Sequence, residues 1–283
     1  MVQFVECPRD AMQGWSRFIE TEQKLRYLQQ LLKVGFHTLD CGSFVSPKAI
    51  PQMADTAQVL NGLDLTGTTS KLLTIVANVK GADDAAAFPQ ISYMGYPFSI
   101  SETFQKRNTN AGIKESFERV KLIQERCLAS GKELVIYISM GFGNPYGDPY
   151  NASIVNEWIE ELGKLGIGIF SLADTVGLAD RQLVHKVSKA AVQAFPNFTI
   201  GVHLHASPNS IVSKLQAAID AGVIRFDGAM KGIGGCPMAN DELVGNMDTE
   251  VMIPLLQSQG LLSGLNQAAL EEAGIMAGQI FQH

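Results

Sequence analysis

The sequence predicts an α/β fold, a closed (β/α)8 TIM barrel with an additional C-terminal helix. Short runs rich in β-forming residues alternate with segments of helical period along the whole chain. A glycine repeatedly stands between a helical segment and the next strand, at Gly35, Gly131, Gly166 and Gly222. The length of 283 residues, with no linker or low-complexity segment, is typical of this barrel. We therefore expect residues 1–283 to form a single TIM-barrel domain rather than a doubly wound open sheet.

Eight short runs predict the strands, because β-branched and aromatic residues in apolar or alternating order suit buried strands. They cover residues 3–7, 37–41, 72–77, 90–95, 134–139, 167–172, 198–204 and 224–229. Between them, apolar residues recur at helical spacing. This pattern predicts helices over residues 22–34, 47–60, 82–88, 115–129, 152–165, 181–195, 210–221 and 241–257. A further helix over residues 267–281 follows the eighth unit.

Composition excludes several classes of protein. A hydrophobic fraction of 46% and a charged fraction of 18% allow a full core. The net charge of −6, without a basic cluster, argues against nucleic acid as a partner. The N-terminus lacks the pattern of a signal peptide and no apolar run has the length to cross a bilayer, so we expect no membrane association and a cytoplasmic location. Four widely spaced cysteines suit free thiols in a reducing compartment.

Residues 202–205, Val-His-Leu-His, carry the first sign of chemistry. Side chains alternate along a strand, so His203 and His205 point to the same face and could hold one divalent metal ion. Histidines on a strand face are also common as packed or solvated residues, so the pair by itself leaves both interpretations open.

In a TIM barrel the active site gathers where the strands end and the βα loops begin. Polar residues at these ends are therefore candidates for substrate or metal contact. They are Arg9, Asp10 and Gln13, Asp40 and Ser43, Asn78, Ser139, Asp174, and Asn246 after a glycine-rich segment that contains Cys236. A carboxylate, two imidazoles and an amide oxygen form a mixed nitrogen and oxygen set that suits Mg²⁺ or Mn²⁺.

Several candidates also have a purely structural interpretation. Asp10 and Asp174 could each cap a turn or a helix. Arg9 could form a structural ion pair with an acid on a neighbouring strand. Cys236 could be a small buried filler, although the glycines before it leave room for a ligand close to the backbone.

Together, six pieces of the sequence resemble the 3-hydroxy-3-methylglutaryl-CoA lyase family, and the similarity runs from about residue 4 to the C-terminus. These pieces are PRDAMQ at 8–13, GSFVSPK at 42–48, SE at 101–102 with Phe104, NTN at 108–110 with ESF at 115–117, DTVG at 174–177 and GGCP at 234–237. Arg-Asp after the first strand and His-x-His on the seventh are shared by a wider superfamily of barrel lyases, aldolases and Claisen-type synthases. The pieces at 43–48 and 234–237 are more specific.

This resemblance implies a retro-Claisen cleavage of 3-hydroxy-3-methylglutaryl-CoA to acetyl-CoA and acetoacetate in the single catalytic domain. It implies a divalent metal ion, with no organic cofactor, held by Asp10, His203, His205 and Asn246. Asp10 or a neighbouring imidazole, for which His203 is the candidate, would take the hydroxyl proton, Arg9 would stabilise the enolate, and Cys236 would protonate the departing carbanion. The partners implied are an acyl-CoA thioester substrate and a second copy of the chain in a homodimer.

The sequence departs from the family pattern at several positions, and one extra residue lies between Cys236 and Asn246. Asp40 stands where the family has glutamate, Ala206 replaces an acidic residue, and Val135 replaces an arginine. These changes favour altered specificity over loss of the metal. The first hypothesis is therefore a lyase for 3-hydroxy-3-methylglutaryl-CoA or a related 3-hydroxyacyl-CoA. A metal-dependent aldolase or Claisen-type acyltransferase for a 2-oxo acid, and a non-catalytic binding relative, are the alternatives.

Overall fold

The computed structural model describes residues 1–235 and 244–282. Its eight strands form a closed barrel in chain order, each parallel to its neighbours, and the eighth strand pairs with the first. The predicted (β/α)8 barrel is therefore confirmed. Each predicted run corresponds to a strand, with ends that shift by a few residues. The strands are β1 Gln3–Glu6, β2 Thr38–Ser43, β3 Lys71–Ile75, β4 Ile91–Ser99, β5 Glu133–Ser139, β6 Ile169–Asp174, β7 Thr199–Leu204 and β8 Arg225–Gly228.

Helices surround the barrel, and the additional C-terminal helix is present. They are α1 Pro8–Gln13, α2 Thr21–Leu32, α3 Thr56–Gly62, α4 Val79–Ala86, α5 Glu102–Thr109, α6 Ile113–Ala129, α7 Ala152–Gly163, α8 Arg181–Ala194, α9 Ile211–Asp220, α10 Thr249–Ser258 and α11 Gln267–Ile280. Helices α1 and α5 are absent from the sequence-based assignment. Helix α1 is a short turn that begins with Pro8, and α5 is polar and depends on the Ser101 hydroxyl, which accepts a hydrogen bond from the backbone N–H of Phe104.

Two predicted helices begin later than expected. The prediction over 47–60 fails at its start, because Ile50 precedes a proline and takes a non-helical conformation, a 3-10 turn follows over Pro51–Met53, and α3 begins only at Thr56. The prediction over 241–257 fails for residues 244–248, since Asp248 caps α10 by accepting a hydrogen bond from the N–H of Glu250. Residues 241–243 lie outside the described part of the chain.

The core has two parts, as the alternation of strand side chains requires. A large apolar layer lies between the strands and the helices. A smaller cluster lies inside the barrel and consists of Leu73, Tyr93, Val135, Tyr137 and Ile169. Inward positions of the same strands carry the polar groups of the site, so this small cluster packs beneath them.

The glycines that mark the βα repeat behave as predicted. Gly35 and Gly222 follow helical turns with φ of 85° and 86°, a left-handed conformation that residues with a Cβ rarely adopt. Within residues 1–235 and 244–282, no helix combines the length and the apolar character needed to cross a membrane.

Candidate active site

An open cleft lies at the carboxyl ends of the strands, with a volume of about 740 Å³. Its polar wall contains most of the residues singled out from the sequence, namely Arg9, Asp10, Gln13, Asn78, Ser139, His203 and His205. Its apolar wall includes Ile50, Ile75, Pro97 and Phe104. The volume lies within the range of about 300–1,000 Å³ that is usual for small-molecule sites.

The structure brings the two histidines and Asp10 together. His203 is the last but one residue of β7, and its ring centroid lies 5.3 Å from that of His205. One ligand atom from each of Asp10, His203 and His205 lies within 4.8 Å of the other two. This spacing allows all three side chains to contact one ion, although Asp10 lies almost 200 positions before the two histidines in the chain.

His205 provides the test of whether this cluster suits a metal ion. Its Nδ1–H donates to the carbonyl oxygen of Thr175 at 3.1 Å, which leaves Nε2 as the ring nitrogen with a free lone pair. This Nε2 is buried and has no hydrogen-bond partner among the described residues. Burial, with the neighbouring His203, lowers the pKa of His205 to about 4, so the ring is neutral at neutral pH. A buried, neutral, unpartnered nitrogen fits a divalent ion.

Asp10 presents a charged carboxylate to the same cluster. Its Oδ1 accepts hydrogen bonds from Arg9 Nη1 and Gln13 Nε2, both at 2.8 Å, and its Oδ2 accepts one from Asn246 Nδ2 at 2.7 Å. Burial by itself raises the pKa of Asp10, but Arg9 and both histidines outweigh burial and bring this pKa below its ordinary value. The capping interpretation is not what the structure shows, since no side chain caps α1.

Asn246 lies beside Asp10 and forms an isolated β-bridge with His205. Its Nδ2 donates to Asp10 and to the carbonyl oxygen of Ile233, which leaves Oδ1 as the amide atom that could contact an ion. Gly234, with φ of 115°, is required here, because a Cβ at this position would collide with the Asn246 amide.

Arg9 lies between two carboxylates. Its Nε and Nη2 donate to Asp40 Oδ2 at 3.0 and 2.5 Å, and its Nη1 donates to Asp10. Burial raises the pKa of Asp40 to about 6 in spite of Arg9. Arg9 therefore forms an ion pair with an acid of a neighbouring strand, as its structural interpretation predicts. Its guanidinium also lines the cleft, so a role in the chemistry remains open to it.

The remaining predicted substrate contacts divide into two groups. Ser139 and Asn78 line the cleft, and Asn78 also caps α4 by accepting a hydrogen bond from Gly81 N–H. Asp40, Ser43 and Asp174 have structural partners and lie outside the cleft lining. The Ser43 hydroxyl donates to a backbone carbonyl of β3, and Asp174 accepts a hydrogen bond from the buried Lys214 ammonium at 2.9 Å. Cys236 lies outside the described residues, so its predicted role stays a prediction.

Two groups next to the cluster escaped the sequence analysis. Asp227 Oδ2 lies 3.3 Å from His203 Nδ1, and the carbonyl oxygen of Thr175 holds His205. Burial lowers the pKa of His203, but the hydrogen bond with Asp227 and the charge of Asp10 outweigh it and raise this pKa above its ordinary value. Alternation along the predicted strand 224–229 could have revealed Asp227 as an inward residue. A backbone carbonyl leaves no signal in the sequence.

Comparisons with known proteins place the chain in a family. The family model described as HMGL-like matches residues 2–276. The mitochondrial hydroxymethylglutaryl-CoA lyase of Macaca fascicularis is 32% identical over 277 residues, which are 96% of this chain and 83% of that protein. A 3-hydroxy-3-isohexenylglutaryl-CoA/hydroxy-methylglutaryl-CoA lyase of Pseudomonas aeruginosa is 31% identical over 275 residues, which are 96% of this chain and 90% of that protein. The structure of an HMG-CoA lyase from Acinetobacter baumannii with coenzyme A and 3-methylmalate has a TM-score of 0.91 and 26% identity over 99% of this chain and 91% of that one.

The fold and the site together define a TIM-barrel enzyme whose polar cluster suits a divalent metal ion at the carboxyl ends of the strands. The chain belongs to the HMGL-like family, a family of carbon–carbon lyases.

Proposed function

We propose that the chain is a divalent-metal-dependent carbon–carbon lyase that cleaves 3-hydroxy-3-methylglutaryl-CoA, or a related 3-hydroxyacyl-CoA, to acetyl-CoA and a keto acid. The observation that carries this proposal is the convergence of Asp10, His203 and His205 within 4.8 Å beside a guanidinium in one cleft. The names of the relatives, which act on hydroxymethylglutaryl-CoA and its isohexenyl analogue, support the substrate class.

Asp10, His203, His205 and the Oδ1 of Asn246 would hold the ion, for which the mixed oxygen and nitrogen donors favour Mg²⁺ or Mn²⁺. When bound, the ion would supply Lewis-acid chemistry, lowering the pKa of a substrate hydroxyl and orienting it. The lowered pKa of Asp10 keeps its carboxylate ionised at neutral pH, so Asp10 is available to accept the proton of the substrate hydroxyl.

Arg9 is placed to stabilise the charge that develops as the carbon–carbon bond breaks. The bond's electron pair passes to the carbon next to the thioester, and negative charge spreads onto the thioester oxygen. Asp40 and Asp10 hold the Arg9 guanidinium in the cleft wall before substrate binds. A donor fixed in advance needs no reorganisation during the reaction, which is the main source of electrostatic stabilisation in enzymes. Protonation of the same carbon, which we assign to the Cys236 thiol, completes acetyl-CoA.

The entrance of the cleft offers positive charge for an anionic thioester. Arg107 on α5 lines the cleft and stacks over the ring of Tyr146, with its Cζ 4.6 Å from the ring centroid. Arg119 on α6 also lines the cleft, but its Nη2 pairs with Glu115 at 3.3 Å. On a protein of net charge −6, the Arg107 guanidinium provides a local positive charge that favours the phosphates of coenzyme A.

An assay of purified protein with a substrate panel tests the proposal. We expect acetyl-CoA from 3-hydroxy-3-methylglutaryl-CoA or an analogue, loss of activity after treatment with a chelator, and recovery with Mg²⁺ or Mn²⁺. Formation of pyruvate from a 4-hydroxy-2-oxo acid would instead support the aldolase alternative. Tight ligand binding without product across the panel would support a binding protein. The homodimer and the cytoplasmic location stay predictions.

A further inference from the structure

The Nδ1 side of the His203 ring faces a buried carboxylate, that of Asp227. Its Nδ1 lies 3.3 Å from Asp227 Oδ2, and no hydrogen bond within residues 1–235 and 244–282 reaches its Nε2. A neutral imidazole carries one proton, and the partner of one nitrogen decides which nitrogen keeps a free lone pair. A carboxylate beside Nδ1 places the proton there and leaves the lone pair on Nε2.

Asp227 is well suited to this task because its own position is fixed. Its side chain is fully buried on an inward position of β8. The hydroxyl of Ser171, on β6, donates to the same oxygen that faces His203, at 3.5 Å. On the other side, Arg225 Nε lies 4.0 Å from Asp227 Oδ1.

Arg225 is a wholly buried cation for which the barrel makes special room. Among the described residues, none of its three guanidinium nitrogens has a hydrogen-bond partner. Its neighbour on β7 is Gly201, where a Cβ would lie 2.9 Å from the Arg225 Cβ, and its guanidinium faces the ring of Tyr93 with Cζ 5.8 Å from the centroid. A buried charge is costly without an opposite charge, and Asp227 is the acid that lies next to it.

We propose that Asp227 is a positioning residue of the metal centre. Asp227 keeps the proton of His203 on Nδ1, so that the Nε2 lone pair faces Asp10 and His205. The charge of the buried Arg225 in turn holds Asp227 in place. The tautomer of His203 does not depend on the proposed metal site, whereas the expected effect of Asp227 on metal affinity does. Carboxylates that orient a metal-binding histidine typically change metal affinity by about 10–100-fold when removed.

A different role for Asp227 is conceivable from the same geometry, as a ligand of a second ion with Cys7 and His203, whose ligand atoms also lie within 4.8 Å of one another. The surroundings of Cys7 oppose that role. Its thiol donates to the carbonyl oxygen of Val5, and burial, with the nearby acidic groups, raises the pKa of Cys7. In this arrangement the thiol carries the proton that it donates to Val5, whereas metal binding needs a thiolate.

The first test reads the tautomer directly, without any metal. Long-range ¹H–¹⁵N NMR of ¹⁵N-histidine-labelled, metal-free protein, recorded at a pH where the His203 ring is neutral, should show its single proton on Nδ1. The double variant Asp227→Ala with Arg225→Met, which removes both buried charges, should lose this preference. A wild-type His203 protonated on Nε2, or a double variant with an unchanged spectrum, would overturn the proposal.

The second test measures Mn²⁺ affinity by titration calorimetry. The double variant should bind Mn²⁺ about 10–100-fold more weakly than wild type. The single variant Asp227→Asn keeps an accepting oxygen, so its Mn²⁺ affinity should lie between those of wild type and the double variant. This single variant replaces the double variant if the latter does not fold. Glu6→Gln is the matched control and should bind Mn²⁺ like wild type, because Glu6 is a buried acid of β1 that accepts its hydrogen bonds from Met230 N–H and the Thr249 hydroxyl. Equal affinity in all variants refutes the positioning role. Absence of Mn²⁺ binding by wild type refutes the metal site instead, while the NMR test still decides the role of Asp227. With Co²⁺, a thiolate charge-transfer band would assign Asp227 to a second ion with Cys7 and contradict the inference.

Discussion

Arg9 and Asp40 form a buried ion pair between α1 and β2, with Arg9 Nε 3.0 Å from Asp40 Oδ2. Because a third nitrogen of the same guanidinium donates to Asp10, one side chain links the acid of β2 to the proposed metal ligand. The planar fork of arginine is needed for this arrangement, since a lysine ammonium cannot span both carboxylates in the same way.

Replacing Arg9 by lysine should therefore keep the charge and lose the geometry. We expect kcat to fall roughly 10²–10³-fold, the span associated with loss of one donor that stabilises an oxyanion, while metal content stays at the wild-type level. Steady-state kinetics with metal analysis measures both. Arg126→Lys, at a partly exposed ion pair with Asp83, is the control. A kcat within about threefold of wild type would exclude Arg9 from transition-state stabilisation.

His205→Ala should lower metal affinity and activity together, because the substitution removes the buried Nε2 that has no partner among the described residues. We expect metal affinity to fall by about tenfold or more. Metal analysis after gel filtration and an activity assay give the two values. His185→Ala, on α8 away from the cleft, should leave both unchanged. Full metal content in the His205 variant would remove this residue from the ligand set.

Cys236→Ala should leave metal content and folding unchanged and slow turnover by about two to four orders of magnitude, the span typical of a lost general acid. The comparison variant is Cys127→Ala, since Cys127 is a buried thiol on α6, outside the cleft. Single-turnover kinetics and thermal unfolding measure the two effects. Wild-type turnover in the Cys236 variant would favour the packing interpretation of this thiol.

The stability of the protein should fall as the pH rises through a window set by Glu6. Burial raises the pKa of Glu6 to about 8 from an ordinary value of 4.5. Between these two values the folded protein keeps a proton that the unfolded chain has released, so the free energy of unfolding decreases with rising pH. The stabilisation is fully present below pH 4.5 and is lost as the pH passes through 8.

Glu6→Gln keeps the shape of the protonated acid, including its contacts with Met230 N–H and the Thr249 hydroxyl, and cannot ionise. We expect the variant to lose this part of the pH dependence and to be more stable than wild type at pH 8 and above. Urea unfolding at pH 5, 6, 7 and 8 gives the free energies. Parallel pH profiles for the two proteins would show that Glu6 does not titrate in this window.

Much of the site could be predicted because the barrel converts strand ends into neighbours. The positions of Asp10 after β1, of His203 on β7 and of His205 just beyond β7 predict the cluster, and the structure places one ligand atom of each within 4.8 Å of the others. By the same rule Ser43 and Asp174 are expected in the cleft, but each has a nearby partner that strand position does not reveal. Helix α5, which forms part of the cleft wall, lacks the apolar period of a helix and depends on its cap at Ser101.

By itself, the sequence determined the order of strands and helices, the closed parallel barrel and the residues that end each strand, since these follow from local periodicity and from glycine positions. Only the tertiary structure decided which polar groups pair. The Arg9–Asp40 and Asp227–His203 contacts join positions 31 and 24 residues apart and depend on strand register and burial. Such pairing is a property of the closed barrel, in which inward side chains of different strands meet, and no local pattern encodes it.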